Sequence, residues 1–429
     1  MKPLIPSQTA LVLGGGGAKG AYEIGAMQAL QSLGIAAGSV YGTSIGALNA
    51  ALYAQGDLEL AQYLWDSLRL DDLVTQESLA LADDAESLFD HPERMLEFIT
   101  RNAQRKGINT APLRALIAAH VDEEKIRRSG VRFGLVATRF PAMQMVEKRL
   151  EDMEPGSLVD WLMASCACFP VFPMVHIGEE RYMDGGFCDN VPVEMAVRSG
   201  AKHIIAIDVG RNQSHTQYAL RPNVTYIRAS HTLGGLLTFD PALTRRSAIL
   251  GYNDTLRAFG RLRGTRYSFD ATDAQALYTR AQDFIAHLTQ VEAGLAHSHA
   301  LTRSNDAPLF ALLEETLHPG ADEIAYFLRA CELCAEIAQV NPAQVFTFPA
   351  FVDTLRAHLP LAKAETMLGS LLGGRIGVLF SPPQPDRRLV IACLYHLLRQ
   401  ESAFSPMAMR TLSAFPREML CAITLKEIL

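Results

Sequence analysis

The stretch Tyr41-Gly42-Thr43-Ser44-Ile45-Gly46-Ala47-Leu48-Asn49-Ala50 decides the fold of the N-terminal part of the chain. It joins an apolar segment to a run of good helix formers and contains G-x-S-x-G at residues 42–46. Glycines on both sides of a serine let the chain turn sharply from strand to helix, because a Cβ there would clash. Such a turn sets the Ser44 hydroxyl at a helix N-terminus, where backbone N–H groups favour developing negative charge. The stretch therefore predicts a nucleophile at Ser44.

A glycine-rich loop lies upstream of this turn. The short apolar strand at residues 11–13 runs into Gly14-Gly15-Gly16-Gly17-Ala18-Lys19-Gly20, and a helical pattern follows. Consecutive glycines leave backbone N–H groups uncovered, which makes a cradle for an oxyanion or a phosphate. The loop also contains G-x-G-x-x-G, but a dinucleotide site would require an acidic residue about 20 positions further on. No acidic residue lies between Glu23 and Asp57, which argues against that alternative.

A third motif follows much later in the chain. Asp184-Gly185-Gly186 comes after a β-rich stretch at residues 171–177 and precedes Asn190-Val191-Pro192-Val193. An Asp before paired glycines is most often only a turn. In this order, however, the three motifs resemble those of the patatin-like phospholipases: the glycine-rich loop at residues 14–20, the serine turn at residues 42–46 and the Asp-Gly-Gly motif. Smaller similarities at residues 107–113, 164–170, 189–192 and 200–208 extend the resemblance over residues 8–265.

The resemblance implies a catalytic mechanism. An unactivated serine hydroxyl needs a base, yet none of the twelve histidines lies in a telling context, and His176 is interpreted as structural. Patatin-like enzymes use a Ser–Asp dyad, so the resemblance implies Ser44 as nucleophile and Asp184 as base. The expected oxyanion donors are the backbone N–H groups of Gly15, Gly16, Gly17 and Ile45. Lys19 is expected to position the loop or to meet a phosphate, and neither a metal nor a cofactor is expected.

The order of elements predicts the fold class. Residues 8–55 alternate strand, loop, helix, strand, turn and helix, which indicates a mostly parallel sheet with right-handed crossovers. The predicted fold class is α/β. With the resemblance, it implies a patatin-like three-layer catalytic domain over residues 1–266, followed by an all-α C-terminal domain over residues 267–429. Residues 71–128 are predicted to be a helical insertion, equally consistent with a lid and with an ordinary helical layer.

The composition of the chain limits the classes of molecule that the protein is expected to bind. A formal net charge of −7 argues against general nucleic-acid binding, so no nucleic-acid partner is expected. The chain shows no signal peptide and no apolar run near the ~20 residues of a transmembrane helix, so a cytoplasmic protein is expected, able to lie on a membrane surface. The expected substrate is a lipid. The sequence does not choose whether the C-terminal domain regulates, recruits a partner or stabilises. The alternative function is a protein- or membrane-interaction module in which this domain carries the main role and catalysis is regulated or secondary.

Two smaller features carry alternatives. Arg257, Arg261, Arg263 and Arg266 form either a solvated basic face or a contact for anionic lipid headgroups. Cys331-Glu332-Leu333-Cys334 is a C-x-x-C in a helical pattern without a second pair, which is more typical of buried packing than of metal or redox use.

Overall fold

The computed structural model describes residues 4–78, 108–210, 216–272, 274–297, 308–318, 320–371, 386–400 and 415–429. They form two compact units, Met1–Ala258 and Phe259–Leu429. The sequence pattern places the boundary after residue 266. The structure places it after Ala258, because Leu262 and Arg263 pair with Asp270 and Phe269 of the second unit.

The first unit is built on a central sheet whose strands alternate with helices along the chain. Its strands are β1 (Thr9–Leu13), β2 (Ser39–Thr43), β3 (Arg132–Phe140), β4 (Gln144–Arg149), β5 (Val175–Ile177), β6 (Glu180–Asp184), β7 (His203–Asp208) and β8 (Val224–Arg228). Among the described residues the order is β5-β6-β3-β2-β1-β7-β8, with β4 paired to β3. The five strands β3, β2, β1, β7 and β8 are parallel to one another. Strands β4, β5 and β6 are antiparallel to the strands with which they pair. The prediction of a mostly parallel central sheet is thus confirmed.

Helices cover both faces of this sheet. They are α1 (Ala21–Ser32), α2 (Ile45–Ala54), α3 (Leu58–Ser67), α4 (Ala111–His120), α5 (Glu123–Arg128), α6 (Leu158–Ser165), α7 (Val193–Arg198) and α8 (Pro241–Ala258). Successive strand residues point to opposite faces, and all five residues of β1 are buried, so neither face is open to solvent. One face packs Ala10 and Val12 against Val193 and Met195 of α7. The arrangement has the three layers that the sequence predicts.

Two strands, β2 and β6, pair end to end with the same edge of strand β3. Residues 132–136 of β3 pair with β2, and residues 137–140 pair with the antiparallel β6. Because β4 takes the other edge of residues 134–139, β2 and β6 must lie on the same edge. They therefore run toward each other and meet where Thr43 pairs with Val136 and Asp184 pairs with Ala137.

Helices α1 and α8 cross at unusually close range. A Cβ on Gly25 would lie 1.7 Å from the Ala248 carbonyl oxygen, and a Cβ on Gly251 would lie 1.9 Å from the Tyr22 carbonyl oxygen. The Tyr22 hydroxyl donates to Asp254 Oδ2 at 2.8 Å across the same contact. Glycine is thus required at this crossing by space, although it lowers the helix propensity of both segments.

The second unit is mainly helical. Its helices are α9 (Ala274–His297), α10 (Pro308–Glu314), α11 (Glu323–Ala338), α12 (Phe348–His358), α13 (Leu361–Leu371), α14 (Arg387–Gln400) and α15 (Pro416–Ile428). A small sheet of β9 (Leu262–Arg263), β10 (Ser268–Asp270) and β11 (Val345–Phe346) corrects the expectation of an all-α domain. Strands of two or three residues are too short to produce a recognisable alternation in the sequence.

A buried carboxylate fixes the start of this unit. Glu332 Oε1 accepts the backbone N–H groups of Thr265, Arg266 and Tyr267 at 2.6, 2.9 and 3.1 Å. Its other oxygen lies 3.3 Å from Arg329 Nη1. Burial raises the pKa of Glu332, while the charge of Arg329 and the backbone donors lower it. Both Cys331 and Cys334 are buried free thiols in α11, as the packing interpretation predicts.

The described helices give no candidate for crossing a bilayer, since none of them combines sufficient length with sufficient apolar character.

Three of the four clustered arginines form ion pairs with carboxylates. Arg257 contacts Asp254, Arg263 lies 3.6 Å from Asp322, and Arg266 lies 3.1 Å from Glu336. Arg257 does not belong to a solvated basic face, since its side chain is only 8% exposed, whereas the side chains of Arg263 and Arg266 stay 35% exposed beside their carboxylates.

We expect Gly251→Ala to destabilise the first unit, although alanine favours helix. The added Cβ overlaps the Tyr22 carbonyl oxygen, so the helices must separate, at a cost on the order of 1–3 kcal/mol. Urea unfolding measures the change. Ile249→Ala serves as control, since Ile249 lies on the same helix with 47% of its surface exposed. A Gly251→Ala protein as stable as the wild type would contradict the close crossing.

Candidate active site

Ser44 lies at a strained turn between β2 and α2. Its φ of 55° and ψ of −127° lie outside the regions that a serine ordinarily adopts. The flanking glycines make the turn possible: a Cβ on Gly42 would lie 2.3 Å from the Gly46 carbonyl oxygen, and one on Gly46 would lie 2.4 Å from that of Leu13. The turn predicted from G-x-S-x-G is therefore present, and it places Ser44 directly before the first residue of α2.

The structure brings Ser44 and Asp184 together. Ser44 Oγ donates a hydrogen bond to Asp184 Oδ2 at 2.6 Å, although the two residues are 140 positions apart. The contact follows from the sheet, because β2 ends at Thr43 just where the oppositely running β6 ends at Asp184. Gly185 keeps the approach open, since a Cβ there would lie 2.3 Å from the Val136 carbonyl oxygen.

Burial changes the acidity of Asp184. Only 5% of its surface is exposed. This burial raises the pKa of Asp184 from its ordinary 3.8 to about 6, although the hydrogen bonds from the Ser44 hydroxyl and from the Gly186 N–H to Oδ1 oppose the change. A carboxylate with such a pKa is a better proton acceptor near neutral pH than an exposed aspartate.

Ser165 holds the serine turn from behind. Its hydroxyl accepts the Ser44 N–H at 2.9 Å and donates to the Val136 carbonyl oxygen at 2.7 Å. Ser165 is fully buried at the end of α6. Sequence reasoning did not assign it a role. The available signal was the run of small residues at 164–170, which indicates close packing but not this hydrogen bond.

The glycine-rich loop lies against the serine. A Cβ on Gly15 would lie 3.2 Å from Ser44 Cβ. The Gly15 N–H, however, donates to the Asn190 carbonyl oxygen at 3.0 Å, so Gly15 is a poor oxyanion donor. This finding weighs against one of the four expected donors. Gly16 and Gly17 are the N-cap and first residue of a short 3-10 helix, and Ile45 begins α2, positions whose N–H groups have no intrahelical acceptor.

A cavity of about 780 Å³ opens over Ser44 and Asp184. Most of its lining is apolar, including Leu48, Leu52, Leu64, Trp65, Leu68, Phe169, Val171 and Phe172. The predicted helical insertion contributes Leu73, Leu113, Leu116, Ile117, His120 and Val121. Residues 79–107 of that insertion lie outside the described part of the chain, so whether it acts as a lid stays a prediction. The cavity is large and apolar enough to admit a hydrocarbon chain.

Polar and thiol groups occupy the rest of the lining. Lys19 is 6% exposed and lies at the cavity wall together with Asp208. Asp208 accepts the Gly210 N–H at 2.8 Å and the Tyr226 hydroxyl at 2.7 Å. Within the described ranges, no three His, Cys, Asp or Glu side chains are grouped as a metal site. His176, interpreted as structural, is exposed on β5 and is absent from the lining.

Comparison with known proteins agrees with these features. The family model described as Patatin-like phospholipase matches residues 11–197. Patatin-like phospholipase domain-containing protein 6 of Mus musculus is 29% identical over 203 residues, or 47% of this chain and 13% of that protein. Lysophospholipase NTE1 of Debaryomyces hansenii is 27% identical over 206 residues, or 48% of this chain and 12% of that protein. The chain thus spans only about an eighth of the length of these curated relatives.

Among solved structures, VipD from Legionella pneumophila is similar at a TM-score of 0.38 and 14% identity, covering 100% of this chain and 91% of that chain. That likeness is too distant to bear on the site. The family match, by contrast, includes Ser44, Asp184 and the whole glycine-rich loop. It confirms the resemblance that the three sequence motifs indicate. Residues 11–197 of this chain are therefore similar to the patatin-like phospholipase domain.

Proposed function

We propose that this protein hydrolyses fatty-acyl ester bonds of lipids through an acyl-enzyme on Ser44, with Asp184 as the base. The observation that carries the proposal is the 2.6 Å hydrogen bond from Ser44 Oγ to a buried carboxylate at an apolar cavity. A nucleophile needs a base within hydrogen-bond reach, and a fatty-acyl substrate needs an apolar site. The family match and the names of the relatives support the same class of reaction.

In the first step, Asp184 accepts the Ser44 proton as Oγ attacks the ester carbonyl carbon. The resulting oxyanion is held by the backbone N–H groups of Gly16 and Gly17, with Ile45 at the start of α2. Each such donor contributes roughly 3–4 kcal/mol to the stability of the transition state. Asp184 then passes the proton to the leaving alcohol. A water molecule, activated by the same carboxylate, releases the fatty acid and restores Ser44.

We expect Ser44→Ala to abolish both ester hydrolysis and labelling by a serine-reactive fluorophosphonate. The variant removes the only atom of that residue able to form the acyl-enzyme, while a small side chain leaves the turn intact. Labelling followed by peptide mapping is the measurement, with Ser67→Ala as control because Ser67 is exposed on α3. Adduct formation on another serine of the wild-type protein, or substantial turnover by Ser44→Ala, would refute the assignment.

We expect kcat/KM for a soluble ester to fall as the pH is lowered through about 6. Below that pH Asp184 is protonated, because burial raises its pKa, and it can no longer accept the serine proton. An unperturbed aspartate would instead keep its activity down to pH ~4. A pH–rate profile decides between the two. A fall of kcat/KM only near pH 4 would mean that the proton acceptor is not this buried carboxylate.

We expect Asp184→Asn to lose nearly all activity without losing stability. Because the pKa of Asp184 is raised from 3.8 to about 6, ionisation of its carboxyl destabilises the fold, and this cost builds up between these two pH values and persists above them. The neutral variant avoids a cost on the order of 3 kcal/mol at pH 8 but not at pH 4. Denaturant unfolding at the two pH values measures the difference. Asp160→Asn, a change of a half-exposed surface carboxylate, is the matched control.

A stabilising effect of Asp184→Asn at both pH values would show that ionisation is not its cause. Substantial residual activity would exclude Asp184 as the base and redirect attention to His120, a histidine at the cavity wall.

A further inference from the structure

Asn190 lies between the Asp-Gly-Gly motif and α7, and its contacts converge on the glycine-rich loop. Its backbone carbonyl oxygen accepts the Gly15 N–H at 3.0 Å, and its side-chain Nδ2 donates to the Gly15 carbonyl oxygen at 3.0 Å. One residue thus satisfies both backbone hydrogen-bonding groups of Gly15. Its side-chain amide is also packed closely there, since a Cβ on Gly15 would lie 2.5 Å from Asn190 Oδ1.

The same amide reaches the turn that carries the base. A Cβ on Gly186 would lie 2.8 Å from Asn190 Oδ1, and Gly186 is the residue whose N–H donates to Asp184. The preceding residue, Asp189, accepts the Thr43 hydroxyl at 2.9 Å through its carbonyl oxygen, at the end of β2. The segment around Asn190 therefore touches the loop, the base turn and the serine turn.

The loop needs such an external support. Four consecutive glycines have no side chains to pack, and glycine loses more conformational freedom on folding than any other residue. Oxyanion stabilisation depends on donors that are already oriented before the reaction, and misplacement by about 1 Å can reduce the rate ~100-fold. Gly15 packs against Ser44, since a Cβ on Gly15 would lie 3.2 Å from Ser44 Cβ, and it directly precedes the proposed donors Gly16 and Gly17.

We infer that Asn190 is a positioning residue that fixes the direction of the oxyanion-binding N–H groups by clamping Gly15. This inference rests on the proposed function, because it adds a positioning residue to the same proposed active site. Asn190 takes no part in proton transfer and does not bond to Ser44. Its effect passes through the glycine-rich loop to the transition state.

The inference separates two properties of the site that a general loss of structure would change together. Substrate binding depends mainly on the apolar cavity, whereas the transition state depends on the oriented N–H groups. Loss of the clamp should therefore lower kcat with little change in KM. It should also weaken a reversible inhibitor that adds to the serine and forms an oxyanion, because such an adduct uses the same N–H groups.

The experiment compares wild type and Asn190→Ala on a short-chain nitrophenyl ester in monomeric solution, and measures inhibition by an alkyl trifluoromethyl ketone. We expect kcat to fall about 30- to 100-fold, KM to change less than about threefold, and the ketone affinity to fall in parallel with kcat. Asn223→Ala is the matched control, because Asn223 is an exposed asparagine on another loop. Thermal unfolding confirms that each protein is folded at the assay temperature.

Asn190→Ser, which keeps a small polar side chain too short to reach Gly15, replaces Asn190→Ala if the latter does not fold. A kcat within about twofold of wild type would overturn the inference, and so would a lower kcat with unchanged ketone affinity. If neither variant folds, Asn190 is a structural residue and the inference is wrong. A wild-type protein that neither hydrolyses the ester nor binds the ketone would overturn the proposed function itself, and this inference with it.

Discussion

The strained backbone of Ser44 is the constraint on which the rest of the site depends. A positive φ at a non-glycine residue costs on the order of 1–3 kcal/mol, so the surroundings must hold it in place. Gly42 and Gly46 remove the atoms that would collide, and the Ser165 hydroxyl satisfies the N–H that the turn exposes. The strain is thus relieved within the turn by its glycines and from outside it by Ser165.

The groups packed around the Asp184 carboxylate are electrically neutral. Asp184 is buried beside the thiols of Cys166 and Cys168, and burial raises the pKa of both thiols further, with the carboxylate adding to the effect. The thiols therefore stay neutral, and they do not compete with Asp184 for charge. A carboxylate in neutral surroundings keeps its elevated basicity, which a neighbouring cation would abolish. The raised basicity of Asp184 and the instability of its charged form therefore have the same physical origin, which is burial.

The sequence predicts those features of the site that are local in the chain. Ser44 and the glycine-rich loop follow from short motifs with a direct steric meaning. Asp184 required the resemblance, because nothing near position 184 reveals its contact with a residue 140 positions away. The bond between Gly15 and Asn190, the role of Ser165 and the close crossing at Gly251 could not be predicted, since each depends on tertiary packing. Neither interpretation of the arginine cluster included the burial of Arg257 against Asp254, because that contact also depends on tertiary packing.

The meeting of β2 and β6 on one edge of β3 has a consequence for how the chain can be cut. The side chains of Ser44 and Asp184 arrive from opposite directions, and the pairing of their strands with the adjacent residues Val136 and Ala137 sets their separation. A slip of one residue in either strand would shift its end by about 3.3 Å and turn its side chains to the other face. The exposed turn at residues 141–143 between β3 and β4, by contrast, carries no part of that distance. New chain termini placed in that turn would therefore leave Ser44 and Asp184 together, whereas a single inserted residue between positions 136 and 137 would separate them.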